Sequence, residues 1–380
     1  MDRVPIKSML VGLRIVFAVV TAVVLNPYRT SGYEGAEHED IGDKAKANYV
    51  QYVTDHPTQA VGIEPLDTYW ALVRVWLVGE DIDYNPLNHF WDPETGNGLP
   101  GLTDAHTYAL SLWGELRDNY EGGNYNAAYS RLGRVMHLIA DMGVPAHVNL
   151  DQHLTKIEWY EHTYIPTRRQ TSTNIASESV GNLMDTLAHI SRAFDSGDVD
   201  GNGVNGWVNG HGDNGTRRAG GFTLTPVDEG ADIANACYPA AIAASGGMLK
   251  LFFDTVKPSV ALDKPAMEDL CSGLLGVELR ARACSYRRDF GDVTNRIDRV
   301  VFEYTMTDPP PFSSFASIGT VPYSQRDAQN VMTYTWNNGI NHQKVWVRAR
   351  TFDNGLCPSL PNSCWIKIDS ERPKIQNTKP

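Results

Sequence analysis

The sequence predicts a mostly α-helical N-terminal domain followed by an all-β sandwich. Three observations carry this prediction. Residues 33–256 repeat apolar side chains every three to four positions, the spacing that lines one face of a helix. After residue 257 the spacing changes to strict alternation, with turn clusters "TDPPPF", "NNG" and "FDNG" between the alternating runs. The chain of 380 residues is long for one average domain, and 42% hydrophobic with 21% charged residues is a globular composition that can bury a core.

Six helices are expected: "HEDIGDKAKANYVQYV" (38–53), "PLDTYWALVRVWLVG" (65–79), "TDAHTYALSLWGELRDNY" (103–120), "NYNAAYSRLGRVMHLIADM" (124–142), "IASESVGNLMDTLAHISRAF" (175–194) and "EGADIANACYPAAIAASGGMLKLFFDTV" (229–256). Several begin with Asp, Thr or Asn, whose side chains can accept from the orphan N–H groups of a first turn. The last is apolar enough to suggest a membrane span, but it is broken by glycines and reads as a core helix. Between the last two, residues 195–221 form a Gly/Asn/Asp loop. Its "DVDGNG" (198–203) has the look of an oxygen-rich calcium loop without the closing bidentate Glu, and a glycine-rich solvent loop carrying Trp207 is the better reading.

In the second part, "GVELRARAC", "IDRVVFEYTM", "NVMTYTWNN", "KVWVRARTFD" and "CWIKIDS" alternate with period two. Val345, Val347 and Ala349 would face one way and Trp346, Arg348 and Arg350 the other. Antiparallel strands at this spacing suggest an immunoglobulin-like sandwich over 257–373, entered near "VKPSVALDKP" and followed by a polar tail, 374–380. This part carries no catalytic set. A targeting module for a cell-surface or matrix partner, or a stabilising role, suits it.

Residues 1–32 read as a secretory signal peptide. Arg3 and Lys7 precede the apolar run "IVFAVVTAVVL" (15–25), too short for a comfortable span, and small residues at "TSG" (30–32) suit cleavage; an uncleaved anchor is the rival. Five cysteines suit an oxidising, extracellular setting. Cys271 with Cys284, and Cys357 with Cys364, could pair and leave Cys237 over. The net charge of −12 argues against a broad duplex-DNA-binding face and against strong attraction to anionic membranes.

The chemistry concentrates in "HLIADMGVPAH" (137–147). His137 and Asp141 stand one turn apart on a helix whose apolar stripe is Leu132, Val135, Met136 and Ile139. They lie on the opposite side, near Gly133. An i, i+4 pair can chelate one ion or bridge two, or can be an ordinary solvated face. Gly143 and Pro145 end that helix, so a turn could swing His147 back over its end, or His147 could equally be a loop histidine. Further His and carboxylates stand at other expected helix ends: His38 in "EGAEHEDIGDKA", Glu80, Asp81 and Asp83 in "GEDID", His89 in "NHFWDPETG", Asp151 and His153 in "LDQH", and Glu158 and Glu161 in "EWYEH".

"LGRVMHLIADMGVPAHV" with "NHFWDPETG" resembles the bacterial zinc-dependent phospholipase C family, of alpha-toxin type, whose superfamily includes zinc-dependent single-strand nucleases. The resemblance covers roughly residues 33–256. It implies a helical domain holding two or three zinc ions, with His38, Asp81, His89, His137, Asp141 and His147 as ligands and a late glutamate at Glu161 or Glu158. It further implies Asp81 as general base, with Asp83 a rival position. Two departures stand out. The family has a histidine four residues before its late glutamate. Four before Glu161 is Ile157, while His153 stands five before Glu158. The family's mature chain begins with a Trp whose backbone binds zinc. Cleavage after Gly32 would put Tyr33 there, where its amine and carbonyl could serve.

Three functions follow. The first is a secreted phosphodiesterase hydrolysing phospholipid headgroups through metal-activated water. The second is single-strand nucleic acid cleavage by the same centre, which needs a stacking aromatic that the sequence does not place. The third is a surface binding or scaffold protein with decayed metal sites, motivated by the two departures.

Overall fold

The computed structural model describes residues 35–56, 64–83, 86–150, 175, 179–194, 226–265, 270–272, 276–284, 297–308, 314–337, 343–359 and 362–369; for 64, 81–83, 86, 226–233, 259, 270–272, 284, 343 and 362–369 only the backbone is described. The N-terminal part is helix-rich and the C-terminal part is β-sheet. In chain order the helices are α1 (Gly35–Asp55), α2 (Glu64–Asp83), a 3-10 turn (Pro86–His89), α3 (Ala105–Glu121), α4 (Tyr125–Asp141), α5 (Pro145–Val148), α6 (Val180–Ser191) and α7 (Pro226–Val256).

The chain divides into two compact units. One takes Met1–Ala45, Ala71–Gly114 and Ser130–Gly246; the other takes Lys46–Trp70, Glu115–Tyr129 and Gly247–Pro380. In the first unit, α4 is the central element. From Leu132 to Asp141 every residue is buried, polar and apolar alike. The sequence offered a solvated polar face as one reading of this helix, but the burial extends all round it. A helix buried on every side must satisfy its polar residues internally, so His137 and Asp141 cannot be solvent decoration.

Glycines set how closely α4 and α1 approach α2. A Cβ on Gly133 would collide with the Val73 carbonyl oxygen and lie 2.9 Å from the Trp76 Cβ. A Cβ on Gly35 would lie 2.6 Å from a Val78 methyl carbon. Arg74 of α2 also pairs with Glu39 and Asp43 of α1. These partners are well exposed, so the pairing adds little to the packing. Among the described residues, the Ala234–Val256 stretch of α7 is the one helix long and apolar enough to cross a membrane by length and composition. As 67% of its most apolar window is buried inside the protein, it serves as a core helix.

The second unit joins the ends of the helices α1, α2, α3, α4 and α7 to the sheets. Its helical core is aromatic: Phe252 meets Tyr129 and Tyr120 edge-on at 5.3 and 5.5 Å, and Tyr49 stacks on Phe253 at 5.4 Å. The strands are β1 (Ser259–Lys264), β2 (Leu270–Ser272), β3 (Val277–Cys284), β4 (Ile297–Thr305), β5 (Ala316–Pro322), β6 (Val331–Trp336), β7 (Gln343–Asp353) and β8 (Asn362–Asp369). They form one sheet ordered β1-β3-β6 and another ordered β2-β8-β7-β4-β5. Leu279 and Ala281 of β3, Val300 and Phe302 of β4, Met332 of β6 and Val345, Val347 and Ala349 of β7 share a single buried core. The alternation in β7 thus points Val345, Val347 and Ala349 into this core. Arg348 and Arg350 on its other face are buried as well, with Arg348 donating to Glu303 at 2.7 Å. The pairing is not wholly antiparallel, because β2 runs parallel to β8. Cys357 is buried with its thiol turned to the Pro358 carbonyl; the Cys271, Cys284 and Cys364 side chains lie outside the described residues.

Candidate metal centre

Four elements of the first unit deliver five side chains to one place. His38 comes from the first turn of α1 and His89 ends the 3-10 turn. His137 and Asp141 lie one turn apart on α4, and His147 comes from α5. All five are at most 2% exposed. Asp141 sits in the middle. Its Oδ1 is 3.2 Å from His38 Nε2. Its Oδ2 is 2.9 Å from His89 Nδ1, 3.2 Å from His137 Nε2 and 3.8 Å from His147 Nδ1. The imidazoles also pack on one another. His38 stacks on His137 with centroids 3.9 Å apart, and His89 meets His137 edge-on at 4.9 Å.

His147 reaches the cluster because Pro145 starts a helix as well as ending one. The sequence placed Pro145 as a terminator with His147 in a turn beyond it. Pro145 is the first residue of α5, where its missing N–H costs nothing and its fixed φ suits a helix start. The new helix returns His147 over the end of α4.

The "HFWD" stretch is explained residue by residue. His89 enters the cluster and Phe90 stacks on the His147 ring at 4.8 Å. The Trp91 N–H donates to the His147 carbonyl at 3.1 Å. Asp92 accepts from Glu94 N–H and from Arg192. Arg192 also donates to Asn149, whose amide holds the Pro145 and Phe194 carbonyls. Both the ring and the backbone of His147 are therefore fixed by neighbours of His89. Phe90 entered the sequence reading only as part of the "HFWDP" stretch, and Asn149 and Arg192 carried no signal there, since their roles depend on contacts between distant segments.

One hydrogen bond determines what His137 can do. Its Nδ1 lies 2.8 Å from the Leu77 carbonyl oxygen, and a carbonyl only accepts, so Nδ1 carries the proton. In the neutral ring Nε2 is then a bare lone pair, and it faces Asp141 Oδ2 and His89 Nδ1, the latter at 3.3 Å. An acceptor facing a carboxylate is unfavourable unless a proton or a cation lies between them. Among the described residues neither Asp141 oxygen makes a hydrogen bond of ordinary geometry. Burial alone would push the Asp141 carboxyl up, but the charges of His137 and His147, with the His137 and His38 nitrogens 3.2 Å away, hold it well below the usual carboxylate range. Four nitrogens and a carboxylate are a donor set that zinc accepts, and a backbone carbonyl on the far ring nitrogen is the usual way of orienting a zinc-binding histidine. His38, His137 and Asp141 already offer ligand atoms within 4.8 Å of one another. The residues present therefore fit a metal.

Not every sequence candidate is here. Glu80 is fully buried and bound to Arg134, so it is committed elsewhere. Asp81 and Asp83 occupy the last turn of α2, with their side chains outside the described residues. Tyr33, Asp151, His153, Glu158, Glu161 and the 195–221 loop also lie outside the described residues.

The close approach at Gly133 underlies the Leu77 bond. Val73 meets Gly133 and, one turn on along both helices, Leu77 meets His137. Gly133→Ala is expected to push α2 away, destabilise the fold by about 1–3 kcal/mol as overpacking does, and weaken metal binding. A thermal melt and a chelator competition check both effects.

No protein-family model matches the chain. A stretch of 64 residues is 30% identical to a phospholipase C of Listeria monocytogenes; the match spans 17% of this chain and 22% of that protein's length. Among solved structures, the alpha-toxin of Clostridium absonum is similar at 11% identity with a TM-score of 0.41, covering 89% of this chain and 98% of the toxin. An alpha-toxin of Clostridium perfringens from an avian strain is similar at 14% identity and 0.39, covering 90% and 98%. Fibronectin(III)-like modules of Clostridium thermocellum CbhA are similar at 19% identity and 0.21, covering 30% of this chain and 47% of theirs.

Proposed function

We propose that the chain is a secreted, zinc-dependent phosphoric diester hydrolase of phospholipase C type, acting on phospholipid headgroups. The observation that carries the proposal is the buried Asp141 carboxylate ringed by four imidazoles. The sequence match to a phospholipase C, short as it is, favours a phosphodiester in a lipid over other substrates.

In this reading His38, His89, His137, His147 and Asp141 hold two or three zinc ions. The two oxygens of Asp141 face different imidazoles, so both are turned into the cluster. Zinc, when bound, supplies an activated water and charge stabilisation for the phosphoryl oxygens. The protein's own contribution is to orient and to exclude solvent. The Leu77 carbonyl holds the His137 proton on Nδ1 and leaves Nε2 for the metal. Phe90 and the Trp91 N–H fix His147. By the family resemblance Asp81, whose backbone lies at the end of α2, would be the carboxylate that accepts a proton from water. Glu161 or Glu158, with His153 and the Tyr33 backbone, would complete the third site. Residues 1–32 direct secretion, and the β region forms an immunoglobulin-like module.

Elemental analysis of the purified mature protein, with its N-terminus read by mass spectrometry, tests the proposal. Two or three zinc ions per chain, an N-terminus near Tyr33 and hydrolysis of phosphatidylcholine are expected. A folded protein without tightly bound zinc at neutral pH would reject it. Zinc with cleavage of single-stranded DNA but not of lipid would assign the centre to a nuclease.

A further inference from the structure

Three residues before His137, α4 buries an arginine. Arg134 is 2% exposed and Glu80, on α2, is fully buried. The guanidinium forks onto the carboxylate. Nε donates to one oxygen and Nη2 to the other, the latter at 2.9 Å, and Nη2 also donates to the Tyr108 hydroxyl. The guanidinium lies over the rings of Trp76 and Tyr108, 5.9 and 5.5 Å from their centroids.

As a stabilising device this pair is a poor choice. Desolvating two charges costs several kcal/mol per ion, and apolar residues of similar size commonly do as well or better. A forked pair supplies direction, because two parallel hydrogen bonds fix both separation and angle. The surrounding contact needs that. Gly133 offers α2 no side chain to interlock with, and apolar packing loses uniqueness before it loses stability. A slip of one residue along α2 would shift the Leu77 carbonyl by about 1.5 Å and turn it about 100° around the helix axis, taking it away from His137 Nδ1. Glu80 is three residues beyond Leu77, and Arg134 three before His137, so the pair bridges α2 and α4 beside that hydrogen bond. Glu80 is also next to Asp81.

We propose that Arg134 and Glu80 are positioning residues of the metal centre: their forked ion pair sets the α2–α4 register in which the Leu77 carbonyl holds His137 Nδ1 and leaves Nε2 for the metal. The inference rests on the reading of the cluster as a zinc site. It touches no substrate and no ligand atom directly.

The test compares the full chain with the double variant Arg134→Met/Glu80→Leu, which replaces both charges by apolar groups, and with Arg134→Lys, which keeps the charge but loses the fork. Zinc affinity is measured by chelator competition, site geometry by the visible absorption of the Co²⁺-loaded protein, and the fold by circular dichroism and metal-free melting. The double variant is expected to melt, metal-free, at or above the parent's temperature while binding zinc about 10–100-fold more weakly, the range seen when an outer partner of a ligand is lost, with an altered Co²⁺ spectrum. Arg134→Lys is expected to fall between the two. A parent that binds zinc, beside variants with the same affinity and the same Co²⁺ spectrum, would overturn this inference and leave the zinc reading standing. A parent that binds neither metal would overturn both. Should the double variant not fold, Arg134→Lys decides alone: unchanged affinity rejects the inference, and weakened affinity with an intact fold supports it.

Discussion

On the proposed zinc-hydrolase reading, Asp141→Ala is expected to abolish zinc binding and hydrolysis together while leaving the helices in place. Loss of a residue that merely orients a ligand costs roughly 10–100-fold, and Asp141 stands closer to the chemistry than that, as its carboxylate is the common neighbour of four imidazoles. Without it a divalent cation would enter a buried site with no negative charge among these five residues. The metal-free protein should also be weakened. The surrounding histidines hold the Asp141 carboxyl well below the usual carboxylate range, and taking one partner out of a buried charge cluster is destabilising, so the metal-free melting temperature should fall. Excess zinc should then separate the two proteins. At about a thousandfold over its dissociation constant, a ligand adds about 4 kcal/mol to a protein that binds it only when folded. The parent's melt should move up accordingly and the variant's should not. A zinc-dependent rise in Asp141→Ala, or retained turnover, would show that the metal is held elsewhere.

The helices were legible from the sequence because burial of a helix face imposes a three-to-four-residue period, and each of the six expected segments contains a helix. The stripe read on α4 was correct for Leu132, Val135, Met136 and Ile139. What the period could not reveal is that the opposite face is buried too, since a polar residue in the core and one in water read alike. The His137 and Asp141 pairing was visible as local spacing. The return of His147 was offered by the turn at Gly143 and Pro145, but the convergence of His38 and His89 on it was suggested by resemblance alone, because it depends on tertiary contacts such as Trp91 N–H to the His147 carbonyl. Arg134 with Glu80 had no local signal at all, being 54 residues apart. Among strands, β5 was missed. Its seven residues include one that is buried, Val321, so no alternation marks it. The first strand, β1, lies within the stretch taken as the domain boundary, and β2 spans three residues.

The second large effect is expected far from the histidines, at Asp353→Ala in the second unit. Asp353 ends β7 and is 5% exposed. One carboxylate oxygen accepts from the N–H groups of Gly355 and Cys357 at 2.9 and 2.8 Å, closing the turn after β7. The other accepts the Tyr120 hydroxyl, at the end of α3, at 2.8 Å. A side chain on Gly355 would lie 2.6 Å from the Tyr125 ring and 2.8 Å from the Tyr120 oxygen, so the turn and the tyrosines fit closely. Alanine leaves three buried donors without their acceptor, each costing about 1–3 kcal/mol, and the total should exceed about 3 kcal/mol. Asp353→Asn keeps an acceptor for the turn and should cost less. Tyr129→Phe is the control. The Tyr129 hydroxyl is buried with no hydrogen bond among the described residues, so its removal should be neutral or stabilising. The same tyrosines predict an alkaline limit. Burial first, then Cys357 with other neighbours including Asp353, pushes both Tyr120 and Tyr129 well above the ordinary phenol value. The unfolded chain releases these protons near pH 10 while the folded chain keeps them, so their contribution is complete below that pH and is lost as pH rises beyond it. Chemical denaturation at pH 8 and in steps above pH 10 reads both effects. If Asp353→Ala and Tyr129→Phe lose equal stability, ring packing rather than the carboxylate holds the turn to the helices. If Asp353→Ala shifts the β-sheet signal alone and leaves the helical signal unmoved, the second unit does not unfold as one.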